Sequence, residues 1–232
     1  MPSGHQVTEA IAVSLAQSGL PPTKAWLDSF ASTARLTTPL PALQKTALFR
    51  LLATDITTSV QPSTSNTLPS TALDPQVAEQ RLPGPVVCQI LDIEDVGRSR
   101  WSQIENLEAH ARGETTKGRE VVRVVPGELG ENGAVPDASA ADKSLGPHKL
   151  LLQDARGTRI YAFEMTRIEG LSLTTPIGTK LVLRRATIAR GVVLLDPSSV
   201  ELVGGKVDAW DKAWRTGRKD SLRARIGGAE DD

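Results

Sequence analysis

The stretch from Lys149 to Gly205 constrains the fold most, because short apolar runs alternate there with turn residues. Four such runs recur, at 150–152, 160–163, 181–183 and 192–195, and the fourth resumes at 200–203. The polar sequence Asp154-Ala155-Arg156-Gly157 separates the first two and predicts a hairpin turn. Ala189-Arg190-Gly191 precedes the fourth run, and Asp196-Pro197 interrupts that run before it resumes at Val200. Short strands at even spacing predict a small antiparallel sheet or barrel rather than parallel units with helical crossovers.

An earlier apolar run, Val86 to Leu91, supplies a first strand. About fifty residues separate it from the next strand, which is far longer than an ordinary connection. The sequence therefore predicts a five-stranded barrel with a long insertion at 97–147, in a fold of the α+β, mostly β class.

The segment before the barrel has the periodicity of three short amphipathic helices. Their apolar stripes are Val7, Ile11 and Leu15, then Trp26, Phe30 and Ala34, then Leu43, Ala47 and Leu51. The aromatic residues Trp26, Phe30 and Phe49 are predicted to be core. Because a bundle this small is marginal alone, we expect it to dock on the barrel or to be held by a partner.

The chain divides by composition into a helical domain at 1–60, a Ser/Thr/Pro-rich linker at 61–81 and the barrel at 82–205. A C-terminal helix with an acidic tail follows at 206–232, and Trp210 and Trp214 on that helix are expected to seal the barrel end. The linker has few large apolar residues, so its composition predicts a flexible connection.

The bulk composition argues against several classes of function. The 27 Lys and Arg residues balance 27 Asp and Glu residues, whereas a strongly electrostatic nucleic-acid binder needs an excess of cations. A single cysteine, Cys88, excludes an internal disulfide, fits a reducing compartment and is predicted to be a buried structural thiol. No apolar run reaches the roughly 18 residues of a membrane span, so no membrane partner is expected.

No motif predicts catalysis or a cofactor. The three histidines lack the spacing of metal ligands, and no Ser or Cys has the context of a nucleophile. Asp92, Glu94 and Asp95 end the first strand, and a solvated strand end explains them better than an acid–base pair. The chain is therefore predicted to be neither an enzyme nor a cofactor binder.

The first half of the insertion carries apolar residues that a bare surface loop does not need. They are Trp101, Ile104 and Leu107 on a helical stripe, and Val121, Val122 and Val124 in an extended run. They either fold back on the barrel or bind another protein. If they bind a partner, Trp101, Ile104 and Leu107 are the expected anchors, because buried aromatic residues dominate interface energetics.

A possible DNA-binding face is formed by basic residues on and after the third strand of the 149–205 region. Its members are Lys180, Arg184, Arg185 and Arg190. Tyr161 and Phe163 lie two apart on one strand and share a face. They are either core or a minimal stacking platform for single-stranded DNA.

Several stretches, taken in order, resemble the RecQ-mediated genome instability protein family. The resemblance begins with Gly19-Leu20 and Trp26-Leu27 and covers most of the chain apart from the linker and the late insertion. The remaining blocks are Leu82 to Val96 (LPGPVVCQILDIEDV), Ser99 to Ile104 (SRWSQI), Lys149 to Asp154 (KLLLQD), Gly178 to Leu183 (GTKLVL), Arg190 to Pro197 (RGVVLLDP) and Val203 to Asp208 (VGGKVD).

The resemblance implies an OB-fold barrel behind a three-helix domain, in a non-catalytic subunit that binds type IA topoisomerase III. In that family the loop after the first strand enters the enzyme's gate region and tunes its opening and closing. The complex acts in DNA repair by homologous recombination, dissolving double Holliday junctions with a RecQ-type helicase, which implies a nuclear location. The chain ends soon after the barrel, as in the short fungal-type form. The alternative hypothesis is a stand-alone single-stranded DNA-binding barrel.

Overall fold

The computed structural model describes residues 4–35, 38–112, 114–117, 120–123 and 146–227. Its N-terminal helices are α1 (Gly4–Gln17), α2 (Lys24–Thr33), α3 (Leu40–Leu52) and the single turn α4 (Ile56–Ser59). The first predicted stripe is buried throughout, and so are Phe30 and the stripe of α3. The prediction that Phe49 belongs to the core is wrong, because it is 74% exposed. It lies two positions from Ala47 and therefore on the far side of α3.

Eight strands form one sheet: β1 (Gln80–Arg81), β2 (Val86–Asp95), β5 (His148–Asp154), β6 (Arg159–Glu164), β7 (Lys180–Leu183), β8 (Thr187–Ala189), β9 (Val192–Leu195) and β10 (Val200–Gly204). The insertion adds a helix, α5 (Arg100–Ala111), and a hairpin of β3 (Glu114–Lys117) and β4 (Glu120–Arg123). The chain continues after β10 into α6 (Asp208–Gly227). None of the helices in the described ranges is both long enough and apolar enough to cross a bilayer.

The eight-stranded sheet curls into a barrel of the OB type. Its order is β1-β8-β9-β6-β5-β2-β7-β10, with β6 and β9 parallel and the other neighbours antiparallel. β7 and β8 stand near opposite ends of this order, although only residues 184–186 separate them in the chain. The sheet must therefore bend until its two ends approach each other. The sheet agrees with the predicted OB-fold, but it has eight strands rather than five, because β1 and β8 were not predicted and the last predicted strand is divided into β9 and β10.

Backbone conformations explain the bend and the turn that follows it. Arg185 has a φ of 51°, in the left-handed region, and this interrupts the extended chain between β7 and β8. Arg190 and Gly191, with φ values of 46° and 82°, form the two-residue loop between β8 and β9. Positive φ at both loop residues is typical of a type I′ hairpin turn.

The helical domain packs on the outside of the barrel, which is the first of the two arrangements expected from the sequence. Val87, Ala155 and Val182 of the barrel belong to the same apolar cluster as the stripes of α1 and α3. At the rim, a side chain at Gly205 would come within 2.5 Å of the Leu52 carbonyl oxygen, so this close approach requires glycine. The helical domain is therefore stabilised mainly by tertiary burial, which short helices need in water.

The Ser/Thr/Pro-rich segment at 61–81 is not the flexible connection that its composition predicted. Leu68 and Ala72 are buried in the barrel cluster. The backbone N–H of Leu68 donates to Asp154 Oδ2 at 2.9 Å. Asp154 Oδ1 also accepts from the backbone N–H groups of Arg156 and Thr158, at 3.0 and 2.8 Å. One buried carboxylate thus closes the β5–β6 hairpin and holds the linker.

Replacing Asp154 with asparagine is expected to lower the free energy of unfolding by about 1–2 kcal/mol, because an amide offers one acceptor oxygen where the carboxylate uses two. Urea unfolding measures the loss. Asp74→Asn is the matched control, since the exposed Asp74 makes a similar 2.8 Å turn bond to the backbone N–H of Gln76. Equal losses in the two variants would contradict a special role for Asp154.

Candidate partner-binding face

The outer surface of β5, β6 and β9 carries two cross-strand rows of side chains. One row is Leu151, Tyr161 and Val192; the other is Lys149, Phe163 and Leu194. The alternate residues of these strands, such as Leu150, Ile160 and Val193, lie in the barrel core. Because side chains alternate across a strand, both rows point away from the core. We call these six residues the open face.

Tyr161 is the most exposed member of the open face, at 53%. The Lys149 ammonium lies 5.3 Å from the centre of its ring. Phe163, Leu151, Val192 and Leu194 are half-buried. The interpretation of Tyr161 and Phe163 as core is therefore wrong for both. Contiguous apolar side chains that are partly exposed on one sheet surface are typical of an interaction site.

One side of the open face is bounded by charged residues of β2. Asp92 and Glu94 pair with Leu151 and Lys149 in the strand register. The side chain of Glu94 binds Lys149, Arg100 and Arg225, each at 3.1 Å. Glu94 and Asp95 are only 5% and 2% exposed, so the prediction of a solvated strand end is wrong.

The carboxylates at this boundary are held ionised. Partial burial of Asp92 opposes ionisation, but hydrogen bonds from Arg225 and the Trp214 indole outweigh it, and the pKa of Asp92 falls below its usual range. The pKa of Glu94 is also lowered, because the bonds from Lys149 and Arg100 exceed the effect of its burial. The charges beside the open face are thus mutually neutralised, which leaves the face itself apolar in character.

The insertion leaves the barrel through a narrow root next to the open face. The backbone N–H of Val96 donates to the Pro147 carbonyl at 3.0 Å. A side chain at Gly97 would overlap the Gly146 carbonyl oxygen, so the two ends of the insertion touch. The root also contains a buried pair, in which Glu164 Oε2 lies 2.6 Å from His148 Nδ1.

The apolar residues predicted to anchor a partner are divided between two environments. Trp101 is 62% exposed at the start of α5, whereas Ile104 is 2% exposed within the chain and Leu107 is half-buried. Val121 and Val122 lie on strand β4, and Val124 falls outside the described residues. Of the three α5 residues, Trp101 is thus the one available at the surface, and the partner contacts of all six stay predictions.

The basic residues predicted to form a DNA-binding face do not all lie at the surface. Lys180 is fully buried, so the prediction that it contacts DNA at the surface is wrong. Arg184 is exposed and pairs with Glu201 at 3.1 Å. Arg185 and Arg190 are exposed in different turns, and Arg190 Nη1 lies 3.5 Å from the Pro75 carbonyl. DNA binding by Arg184, Arg185, Arg190 and Tyr161 stays a prediction.

Sequence reasoning did not find Leu151, Lys149, Val192 and Leu194 as members of a site. The only available signal was alternation, which placed Tyr161 and Phe163 on a common face but did not give its direction. Within the described ranges, no group of three or more His, Cys, Asp or Glu side chains could hold a metal ion. Cys88 is buried in the barrel core, where burial and the nearby Asp154 carboxylate raise the pKa of its thiol.

The barrel, the docked helices and the open face define an OB-fold interaction module. A family model described as "RMI1, N-terminal OB-fold domain" matches residues 59–218, and one described as "RMI1, N-terminal helical domain" matches residues 15–59. RecQ-mediated genome instability protein 1 of Schizosaccharomyces pombe is 30% identical over 221 residues, which cover 88% of this chain and 90% of that protein.

The protein of the same name from Oryza sativa is 40% identical over 74 residues, which cover 31% of this chain and 9% of the rice protein. The chain belongs to the RMI1 family, and the family resemblance seen in the sequence is confirmed.

Proposed function

We propose that this chain is a non-catalytic accessory subunit of type IA topoisomerase III that acts in the nucleus with a RecQ-type helicase. Its barrel docks on the enzyme through the open face, and its insertion tunes the opening and closing of the DNA gate. The result is faster decatenation and dissolution of double Holliday junctions. The observation that carries this proposal is the position of the apolar open face beside the root of the insertion.

The geometry gives this role a physical basis. A segment that stabilises an open gate must bind the open state of the enzyme better than the closed state. For this, the segment must start from a fixed point on the enzyme's surface. The open face provides an apolar area for docking, and the root, closed by the Val96–Pro147 bond, fixes where the insertion departs.

The relatives' name supports a pathway that involves RecQ. The S. pombe relative is called RecQ-mediated genome instability protein 1. Since this chain spans 90% of that protein, the proposal extends a RecQ-linked genome-stability role to it. Topoisomerase III enters the proposal through the family resemblance in the sequence.

Removing Gly113 to Lys143, with a short Gly-Ser bridge in their place, is expected to abolish most of the stimulation of decatenation. The full chain should stimulate topoisomerase III at least about fivefold more than the deleted chain, because coupling between sites is typically on the order of 1–3 kcal/mol. The assay follows release of circles from catenated DNA by the topoisomerase alone and with each chain.

Two controls accompany this deletion. Its thermal midpoint should match that of the full chain, since the root at Gly97 and Gly146 is kept. Its affinity for the topoisomerase should be retained in part through the open face. Undiminished stimulation by the deleted chain would show that the insertion has no gate role.

Stand-alone binding of single-stranded DNA is the second candidate, favoured by the outward direction of Tyr161 and Phe163. Stacking of bases on aromatic residues is the usual device of such barrels. Two observations weigh against it: Lys149, the cation at the Tyr161 ring, is already paired with Glu94, and Lys180 is buried. This candidate requires oligonucleotide binding whose affinity falls steeply as salt is raised. Docking of a protein on an apolar surface does not have this salt dependence.

A further inference from the structure

Helix α6 crosses the end of β2 and packs on the insertion helix α5. The Glu108 carboxylate of α5 binds two cations of α6, Lys219 at 3.0 Å and Arg223 at 2.7 Å. Leu222 of α6 and Ile104 of α5 are both buried, at 4% and 2% exposure. The two helices therefore share a small interface outside the barrel core.

A buried glutamine joins α6, α5 and the strand from which the insertion departs. Gln103, which is 5% exposed, donates through Nε2 to the carbonyl oxygens of Asp95 and Arg98, at 2.9 and 3.1 Å. Its Oε1 accepts from Arg218 of α6 at 3.2 Å. The Arg218 guanidinium also lies 4.4 Å from the centre of the Trp214 ring. Arg218 is thus held between Trp214 and the first turns of the insertion.

The C-terminal end of α6 makes a second connection. Arg225 binds Asp92 at 2.6 Å and Glu94 at 3.1 Å, both on β2. Arg100 of α5 binds the same Glu94 carboxylate and donates to the Arg225 carbonyl oxygen at 3.1 Å. Two arginines from two helices therefore meet at one buried carboxylate.

Helix α5 needs this support because of its length. It has 12 residues, and helices of fewer than about 12–15 residues are marginal in water without tertiary packing. Its buried residues are only Gln103 and Ile104. Its Glu108 side chain is held by two cations of α6. Without α6, the start of the insertion has little to keep it helical or to fix its direction.

We propose that α6 is a positioning helix, which holds α5 in place so that the insertion leaves the barrel in one direction. Arg218 and Arg225 are its principal positioning residues, because both reach buried partners at the root. The matched OB-fold family segment ends at residue 218, so Arg225 and the Glu108 partners lie beyond it. The effect on partner binding rests on the proposed function; the effect on α5 does not.

The test compares the full chain with the double variant R218A/R225A. Hydrogen exchange of the backbone amides at 104–112 is expected to become at least about tenfold faster, because α5 loses its tertiary support. The amides of β5 and β6 should keep their protection. Affinity for topoisomerase III should fall about tenfold, since the insertion must then be ordered during binding.

Arg215→Ala is the matched control. Arg215 lies on the same helix and also makes an ion pair, with Asp211 at 3.0 Å, but it turns to the Thr174 carbonyl and not to α5. In this variant, the hydrogen exchange of the α5 amides should be as slow as in the unmodified chain. If R218A/R225A also loses protection in β5 and β6, the barrel itself is disturbed and the milder variant Glu108→Gln is used to test the positioning role. Its backbone amides at 109–112 are expected to exchange about twofold faster.

The positioning role would be overturned if hydrogen exchange of the α5 amides is unchanged in R218A/R225A, or in Glu108→Gln where that variant is used. This holds even if the unmodified chain binds topoisomerase III. Faster α5 exchange, together with no binding by the unmodified chain, would instead support the positioning role and reject the proposed function. Equal acceleration by Arg215→Ala would also overturn the inference, because the effect would then be a general property of α6.

Discussion

Replacing Lys180 with methionine is expected to raise the free energy of unfolding by about 2–3 kcal/mol at pH 7. Lys180 is fully buried. It lies on the side of β7 that faces the helical domain, because Val182, two residues later on the same strand, packs against that domain. No acceptor among the described residues lies within hydrogen-bonding distance of its Nζ. Burial lowers the pKa of Lys180 from 10.5 to about 8, although Asp55 partly offsets it. At about 1.4 kcal/mol per pKa unit, the buried charge costs about 3 kcal/mol.

The pH dependence identifies the cause. Below pH 8 both the folded and the unfolded chain carry the proton on Lys180, so the folded state bears the full cost of the charge. Between pH 8 and about 10.5 the folded chain loses this proton first, and its stability rises with pH. The advantage of Lys180→Met over the unmodified chain should therefore shrink across this window, as measured by urea unfolding at pH 7 and pH 9.5.

Lys212→Met is the matched control for Lys180, because Lys212 is exposed on α6. Exposed substitutions usually change stability by less than about 0.5 kcal/mol. A Lys180→Met variant that is no more stable than this control at pH 7 would show that the Lys180 charge is compensated in the folded chain.

The double variant Tyr161→Ala/Phe163→Ala is expected to weaken binding of topoisomerase III by roughly 1,000-fold. Aromatic residues at the centre of an interface commonly contribute 2 kcal/mol or more each, and about 1.4 kcal/mol is a factor of ten in affinity. Both side chains point away from the barrel core, so the fold should persist. Phe49→Ala is the control, since Phe49 is also an exposed aromatic residue but lies on α3. Its affinity should equal that of the unmodified chain.

Local patterns predicted the elements that depend on neighbouring residues. The β5–β6 hairpin follows from the polar turn at 154–157, and the turn at Arg190-Gly191 follows from the glycine, which accepts positive φ without strain. The helical stripes of α1 and α3 follow from a spacing of four residues, which places Ile11 and Leu15 on one face. Each of these signals is contained within about ten residues of chain.

Residues whose surroundings come from distant parts of the chain were predicted wrongly. The sequence pattern groups Lys180 with Arg184 and Arg185 in a basic face, but the docked helical domain covers Lys180. Leu68 was assigned to a flexible linker, although it is held by Asp154, 86 positions away. The contacts of Arg225 with β2 span more than 130 positions. Alternation alone did not give the direction of Tyr161. Tyr161 points outward because β6 pairs with β5 and β9, and Leu150 and Val193 of those two strands lie in the barrel core.

Calorimetric titration of topoisomerase III with the full chain tests the central claim most directly. We predict saturable binding with one chain per enzyme and a dissociation constant at or below about 1 μM, which corresponds to about −8 kcal/mol. We also predict that Tyr161→Ala/Phe163→Ala loses this binding while Phe49→Ala keeps it. Absence of binding by the unmodified chain at tens of micromolar, or equal binding by all three chains, would contradict docking through the open face.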